Sequence, residues 1–66
     1  MDIRPITERE WLGLTLNEAN QRAEIIGYTT RVVEQDGNSL MLTMDFKSNR
    51  LNLRLKDGKI IGLYTG

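Results

Sequence analysis

Leu16, Ala19, Ala23 and Ile26 recur at three- and four-residue intervals, with Asn17, Glu18, Gln21, Arg22 and Glu24 on the other positions. That spacing lays one apolar stripe along a helix. Its start is marked by Thr15-Leu16-Asn17-Glu18, the form of a capping box. In that arrangement the Thr15 hydroxyl accepts from an orphan amide, and the Glu18 carboxylate reaches back to the Thr15 amide. Gly27 follows, suited to the positive φ that often ends a helix. The pattern predicts a helix over residues 15–26. Upstream, Trp11, Leu12 and Leu14 are expected to pack on the domain, Trp11 as a core or lid residue. Residues 1–10 carry charge, one proline and little apolar content, and read as an extended or partly mobile arm.

Beyond Gly27 the period shortens to two. Residues 28–34, Tyr-Thr-Thr-Arg-Val-Val-Glu, are rich in β-branched and aromatic side chains and predict a strand. Asp36-Gly37-Asn38 is a turn signal. Arg50 to Lys56 alternates Leu51, Leu53 and Leu55 with Asn52 and Arg54, predicting a strand with one buried and one wet face. Asp57-Gly58 is a tight-turn signal, and Lys59 to Thr65 supplies the last strand. Between them, Leu40, Leu42, Met44 and Phe46 share one parity while Met41, Thr43 and Asp45 share the other. Two readings fit this stretch. It is a half-buried strand of an antiparallel meander, with Asp36-Gly37 as its hairpin and Lys47-Ser48-Asn49 as the next turn. Or it is an extended loop whose apolar side chains are on offer to another molecule.

Composition narrows the chemistry. Sixty-six residues make one small domain, and such a chain buries only about 60% of its unfolded surface, so its core is marginal. There is no cysteine, which removes disulfides, thiol nucleophiles and thiolate metal sites. There is no histidine either, which removes the commonest general base and neutral metal ligand. An enzyme would have to use carboxylates, lysines or tyrosines on a very small scaffold. No pair of acids carries the pattern of acid–base catalysis, and Glu18 and Glu24 read as a cap and a solvated face. No enzymatic activity, metal or cofactor is expected. Nine basic residues balance nine acidic ones, so there is no field to hold a nucleic acid. No apolar run approaches the roughly 18 residues that span a bilayer, so no membrane partner is expected. The polar start lacks the apolar core of a signal peptide. The chain as written is expected in the cytoplasm, or in a secreted or periplasmic location if a leader was removed.

The loop reading gains weight from a likeness. Thr43-Met44-Asp45-Phe46 followed by Asn49-Arg50-Leu51-Asn52-Leu53 resembles the reactive loop and following strand of the potato inhibitor I family of serine protease inhibitors, and more closely that family's small bacterial relatives. In that family a threonine, a specificity residue, an acidic residue and an aromatic stand in a row. An Asp-Arg pair then opens a strand after a short gap. Gly13-Leu14 ahead of the capped helix, Ala19 and Ala23 within it, the glycine after it, the "RVVEQDG" of residues 31–37 and a last-position glycine fall in the same order. The likeness spans residues 11–66.

The resemblance implies an α+β fold, one helix packed on a small mixed β-sheet, with an extended exposed loop over about 38–49 joining two parallel strands. It implies a reactive loop of Leu42, Thr43, Met44, Asp45, Phe46 and Lys47. Met44 would fill the primary specificity pocket of a subtilisin-, chymotrypsin- or elastase-type protease, and Met44–Asp45 would be the scissile bond. Leu42 and Thr43 would pair with the enzyme as an added strand. Arg50 would lie beneath the loop and hydrogen-bond Thr43 and Asp45, its planar fork suited to a carboxylate. Asn52, next on the same face, departs from the plant inhibitors, which carry a second arginine there; it would still support the loop by hydrogen bonding without adding charge, and Gly66 would bring its carboxylate to the same cluster. The protein is expected to act as a monomer.

Two alternatives stand beside the inhibitor. One is an interaction module on the same fold that binds or blocks a different, cytoplasmic partner, and its binding would be insensitive to changes at Met44. The other is an adaptor built as an all-antiparallel meander, in which residues 40–46 are core. Parallel pairing of residues 31–35 with 50–55 would eliminate it.

Overall fold

The computed structural model describes residues 7–40 and 42–66; residues 1–6, most of the segment read as an arm, and Met41 lie outside the described residues. The helix, α1, runs Leu16–Ile25 and carries both halves of the expected cap. The Glu18 amide donates to Thr15 Oγ1 at 3.2 Å and the Thr15 amide to Glu18 Oε1 at 2.9 Å. Strands β1 (Thr29–Gln35), β2 (Asn38–Ser39), β3 (Arg50–Lys56) and β4 (Lys59–Thr65) form one mixed sheet in the order β2-β1-β3-β4. Thus the protein is an α+β fold with one helix on a small mixed sheet. Residues 8–10 of the expected arm are not extended: Glu8–Glu10 form a single turn of 3-10 helix, and Glu8 Oε2 accepts the Leu63 amide at 3.3 Å.

The two Asp-Gly pairs make the two hairpins. Asp36 and Gly37 have φ of 52° and 83°, Asp57 and Gly58 of 54° and 76°. Positive φ at both central residues is the primed turn whose twist matches antiparallel strands. The first hairpin stops after two residues, because β2 ends at Ser39 and the described residues 40 and 42–49 contain no strand. The chain instead crosses over to lay β3 parallel to β1, with Thr29 opposite Arg50 and Arg31 opposite Asn52. Parallel neighbours need such a long connection, and their pairing excludes the antiparallel meander.

The core lies between α1 and the sheet. Trp11, Ala19, Ala23, Leu51, Leu53, Leu55 and Ile60 are buried together, with Leu14, Leu16, Tyr28, Val32 and Leu63 packed around them. Two alanines on the buried stripe let the helix backbone approach the leucine face closely. Trp11 is core, and the Arg22 guanidinium lies 5.5 Å from its ring centroid, a cation–π contact. Leu12 and Ile26, expected on the apolar side, stay at the surface.

One expectation about β3 fails. Its second face is wet only at Arg54 and Lys56; Arg50 and Asn52 are buried, Asn52 completely. Arg50 is met by the crossover through Asp45, and Asn52 is enclosed by Arg31, Tyr64 and Gly66.

Candidate functional site

Residues 42–49 arch over the polar face of β3, and every side chain in this run is on the surface. Met44 is 100% exposed and Phe46 is 73% exposed. Apolar side chains this open contribute little to the core, and they sit together on one projecting segment.

The backbone beneath them is fastened. Arg50 Nη1 donates to Asp45 Oδ2 at 3.3 Å and Nη2 to the Asp45 carbonyl at 3.1 Å. The same guanidinium donates to the Gly66 carbonyl oxygen from Nε at 3.3 Å and from Nη2 at 2.9 Å. One buried fork therefore joins the loop to the end of β4. Gly66 is itself held there, its amide on Arg50 O at 3.0 Å and its oxygen accepting the Lys47 amide at 3.2 Å. A Cβ at Gly66 would stand 3.4 Å from the Phe46 ring and 3.5 Å from Asn52 Nδ2, at a φ of 137°. Only glycine sits there without strain, and the Phe46 ring rests over it.

The expected bond from Arg50 to Thr43 is not made, and among the described residues Asn52 bonds Arg31 and Tyr64 rather than the loop itself. Thr43 is held instead by Arg31, whose Nη1 donates to Thr43 Oγ1 at 3.1 Å while its Nε donates to Asn52 Oδ1 at 2.8 Å. The Asn52 amide is oriented from its far side, Nδ2 donating to the Tyr64 carbonyl at 3.4 Å. Thr43 Oγ1 then donates to Asp45 Oδ1. The result is a continuous polar chain, Arg31 to Thr43 to Asp45 to Arg50, that brackets Met44 on both sides.

Charge follows the same path. The Asp45 carboxyl is held below its ordinary range, chiefly by the Thr43 hydrogen bond, with Arg50 adding a hydrogen bond and an attractive charge against partial desolvation. Asp45 is about half exposed, 47% against 10% for Arg50, so the ion pair is anchored on one side only and water screens the other.

Arg31 is the residue that sequence reading missed. It lies on β1, far from the loop in sequence, and reads there as one more polar position in a β-branched run. A signal existed once parallel pairing is assumed. Matching Thr29 with Arg50 places Arg31 beside Asn52, a long cation next to a short amide. A β-bulge at Val33 then brings Glu34 opposite Arg54, where the two pair at 3.0 Å.

Two open clefts flank Arg22 on the helix side, one lined by Glu10, Trp11, Arg22 and Ile26 and the other by Leu14, Glu18, Gln21, Arg22 and Ile25. They share no residue with the loop. Among the described residues no acidic groups gather closely enough to hold a metal ion, and no helix is long and apolar enough to cross a membrane. No family model, curated protein or solved structure matches the chain.

Proposed function

We propose that the protein is a serine protease inhibitor of the potato inhibitor I type, acting by substrate-like insertion of residues 42–47. The observation that carries this reading is the combination at Met44: a wholly exposed apolar side chain between two anchored neighbours, Thr43 held through its hydroxyl and Asp45 through its carboxylate and carbonyl. A projecting side chain alone would suit any binding surface. A braced peptide on each side of it suits an enzyme that would otherwise cut there.

Met44 enters the specificity pocket, and the protease's serine and oxyanion hole engage its carbonyl as they would a substrate's. If the serine attacks, Met44 becomes an ester of that serine and Asp45 leaves as an amine. Arg50 holds the Asp45 side in place, so the amine re-attacks the ester faster than water does, and the peptide re-forms. Preorganisation also cuts the entropy lost on binding. A medium-sized apolar side chain at this position favours subtilisin-, chymotrypsin- and elastase-type enzymes over those that require a basic residue.

The test is a stoichiometric titration of subtilisin, chymotrypsin and elastase, with mass spectrometry of each mixture. Loss of activity near one equivalent, with slow or no cut at Met44–Asp45, is the expected result. Full activity with rapid cutting there, or binding to another protein that is indifferent to Met44→Ala, would overturn it.

A further inference from the structure

We infer that Arg31, on β1, is the positioning residue for the Thr43 side of the loop, standing in from a neighbouring strand for the second arginine that β3 lacks. The role in inhibition rests on the inhibitor reading above; the bracing itself does not.

The geometry divides the work between two cations. Arg50 reaches only the Asp45 side, through the carboxylate and the Asp45 carbonyl. Among the described residues, the side-chain bond that fastens Thr43 to the sheet comes from Arg31. Without it, Thr43 would keep its bond to Asp45, but both residues would then hang from Arg50 alone. Asn52 makes the substitution possible. It is the direct neighbour of Arg31 across the parallel pair, and adjacent strands lie about 4.8 Å apart. A short side chain at position 52 leaves room for the guanidinium and offers it Oδ1 at 2.8 Å. The Tyr64 carbonyl takes the other end of the amide, so Oδ1 faces Arg31 and not the reverse. Arg31 therefore arrives at Thr43 with its own orientation already set.

The consequence falls on the acylated half of the loop. Re-forming the Met44–Asp45 peptide needs the ester carbonyl and the Asp45 amine to stay in register. Arg50 fixes the amine side and Arg31 fixes the segment leading into the carbonyl. Removing Arg31 should turn a slowly cut inhibitor into a better substrate while leaving the leucine core untouched.

Arg31→Met keeps the aliphatic stem and removes the donors. Arg31→Lys keeps the charge but has one nitrogen, which does not span Asn52 and Thr43 as the fork does. Each is incubated with subtilisin, cutting at Met44–Asp45 is timed by mass spectrometry, and the urea midpoint is recorded. Backbone order parameters of residues 42–46 are measured by NMR relaxation in the absence of any protease. The expected result is cutting faster by about 10- to 100-fold in both variants, lower order parameters confined to 42–46, and a nearly unchanged midpoint. Pairing Arg31→Gln with Asn52→Arg should slow cutting again. If the wild-type protein inhibits no protease but order parameters in 42–46 still fall in the variants, the inhibitor reading fails and the brace stands. If order parameters and cutting both stay at wild-type values, Arg31 is not a positioning residue and the inference is overturned.

Discussion

The leucine face of β3 and the Arg50–Asn52 half of its other face are both buried, yet they are built on opposite principles. Toward the helix the strand presents Leu51, Leu53 and Leu55, packed on Trp11, Ala19, Ala23 and Ile60. Toward the loop the same residues' neighbours, Arg50 and Asn52, meet Asp45, Arg31, Tyr64 and Gly66 through hydrogen bonds. The first face is non-directional: burial of each leucine contributes about 1.5–3 kcal/mol wherever it finds apolar neighbours. The second is directional, and a buried guanidinium or amide is tolerable only because its partners are in place. No buried side-chain nitrogen or oxygen among the described residues lacks a partner. One face makes the domain fold, and the other makes one segment of it hold still.

The sharpest break of that comparison comes from the leucine side. Leu53 is fully buried at the centre of the core, and Leu53→Ala should cost about 2–5 kcal/mol. For so small a domain that is most of its stability. Urea or thermal unfolding should show a midpoint lowered steeply or lost, and binding should fall only in proportion to the unfolded fraction. A variant that kept its midpoint would mean that the leucine face is not what holds the fold.

The polar side should respond in the opposite sense. Arg50→Lys keeps the charge and loses the fork that serves Asp45 and Gly66 together. Charge-assisted bonds of this kind are worth about 1.5–3 kcal/mol, so the proposed inhibition should weaken by roughly 10- to 100-fold with a smaller change in unfolding midpoint. Inhibition constants and midpoints measured on the same preparations check it. Parallel losses in both would erase the division of labour between the two faces.

How far this division was legible depends on whether the signal was local. The helix with its Thr15/Glu18 box, the Asp-Gly turns and the β3 and β4 strands were readable, because caps, turns and periods are written within a few residues. The parallel topology was not in the pattern, since alternation is the same for parallel and antiparallel strands; it came from the likeness of residues 43–53. Arg50's contact with Asp45 followed from the same source. The burial of Asn52 did not. A polar residue alternating with leucines reads as wet, and it is dry because Arg31, Tyr64 and Gly66 close around it. Arg31 was hidden for a related reason: its neighbour across the sheet is twenty-one residues away.

The gentlest probe of the polar face is acid. In the folded protein Asp45 is held below its ordinary value, by the Thr43 hydrogen bond first and by Arg50 second. A carboxyl lowered on folding contributes stability that is fully present above its unfolded value and is lost as pH falls through the folded one. The contribution of Asp45 should therefore be constant from neutral pH down to about 4, and fade only below that. The leucine face carries no titrating group, so the core should outlast the brace as the acid increases. A carbon-detected NMR titration of the Asp45 carboxyl, followed together with amide signals of Thr43 and Leu53, checks this. Thr43 should shift along the Asp45 curve while Leu53 stays put until global unfolding. If Leu53 moves with Asp45, the two faces of β3 are one cooperative unit, and the loop's rigidity is a property of the whole sheet.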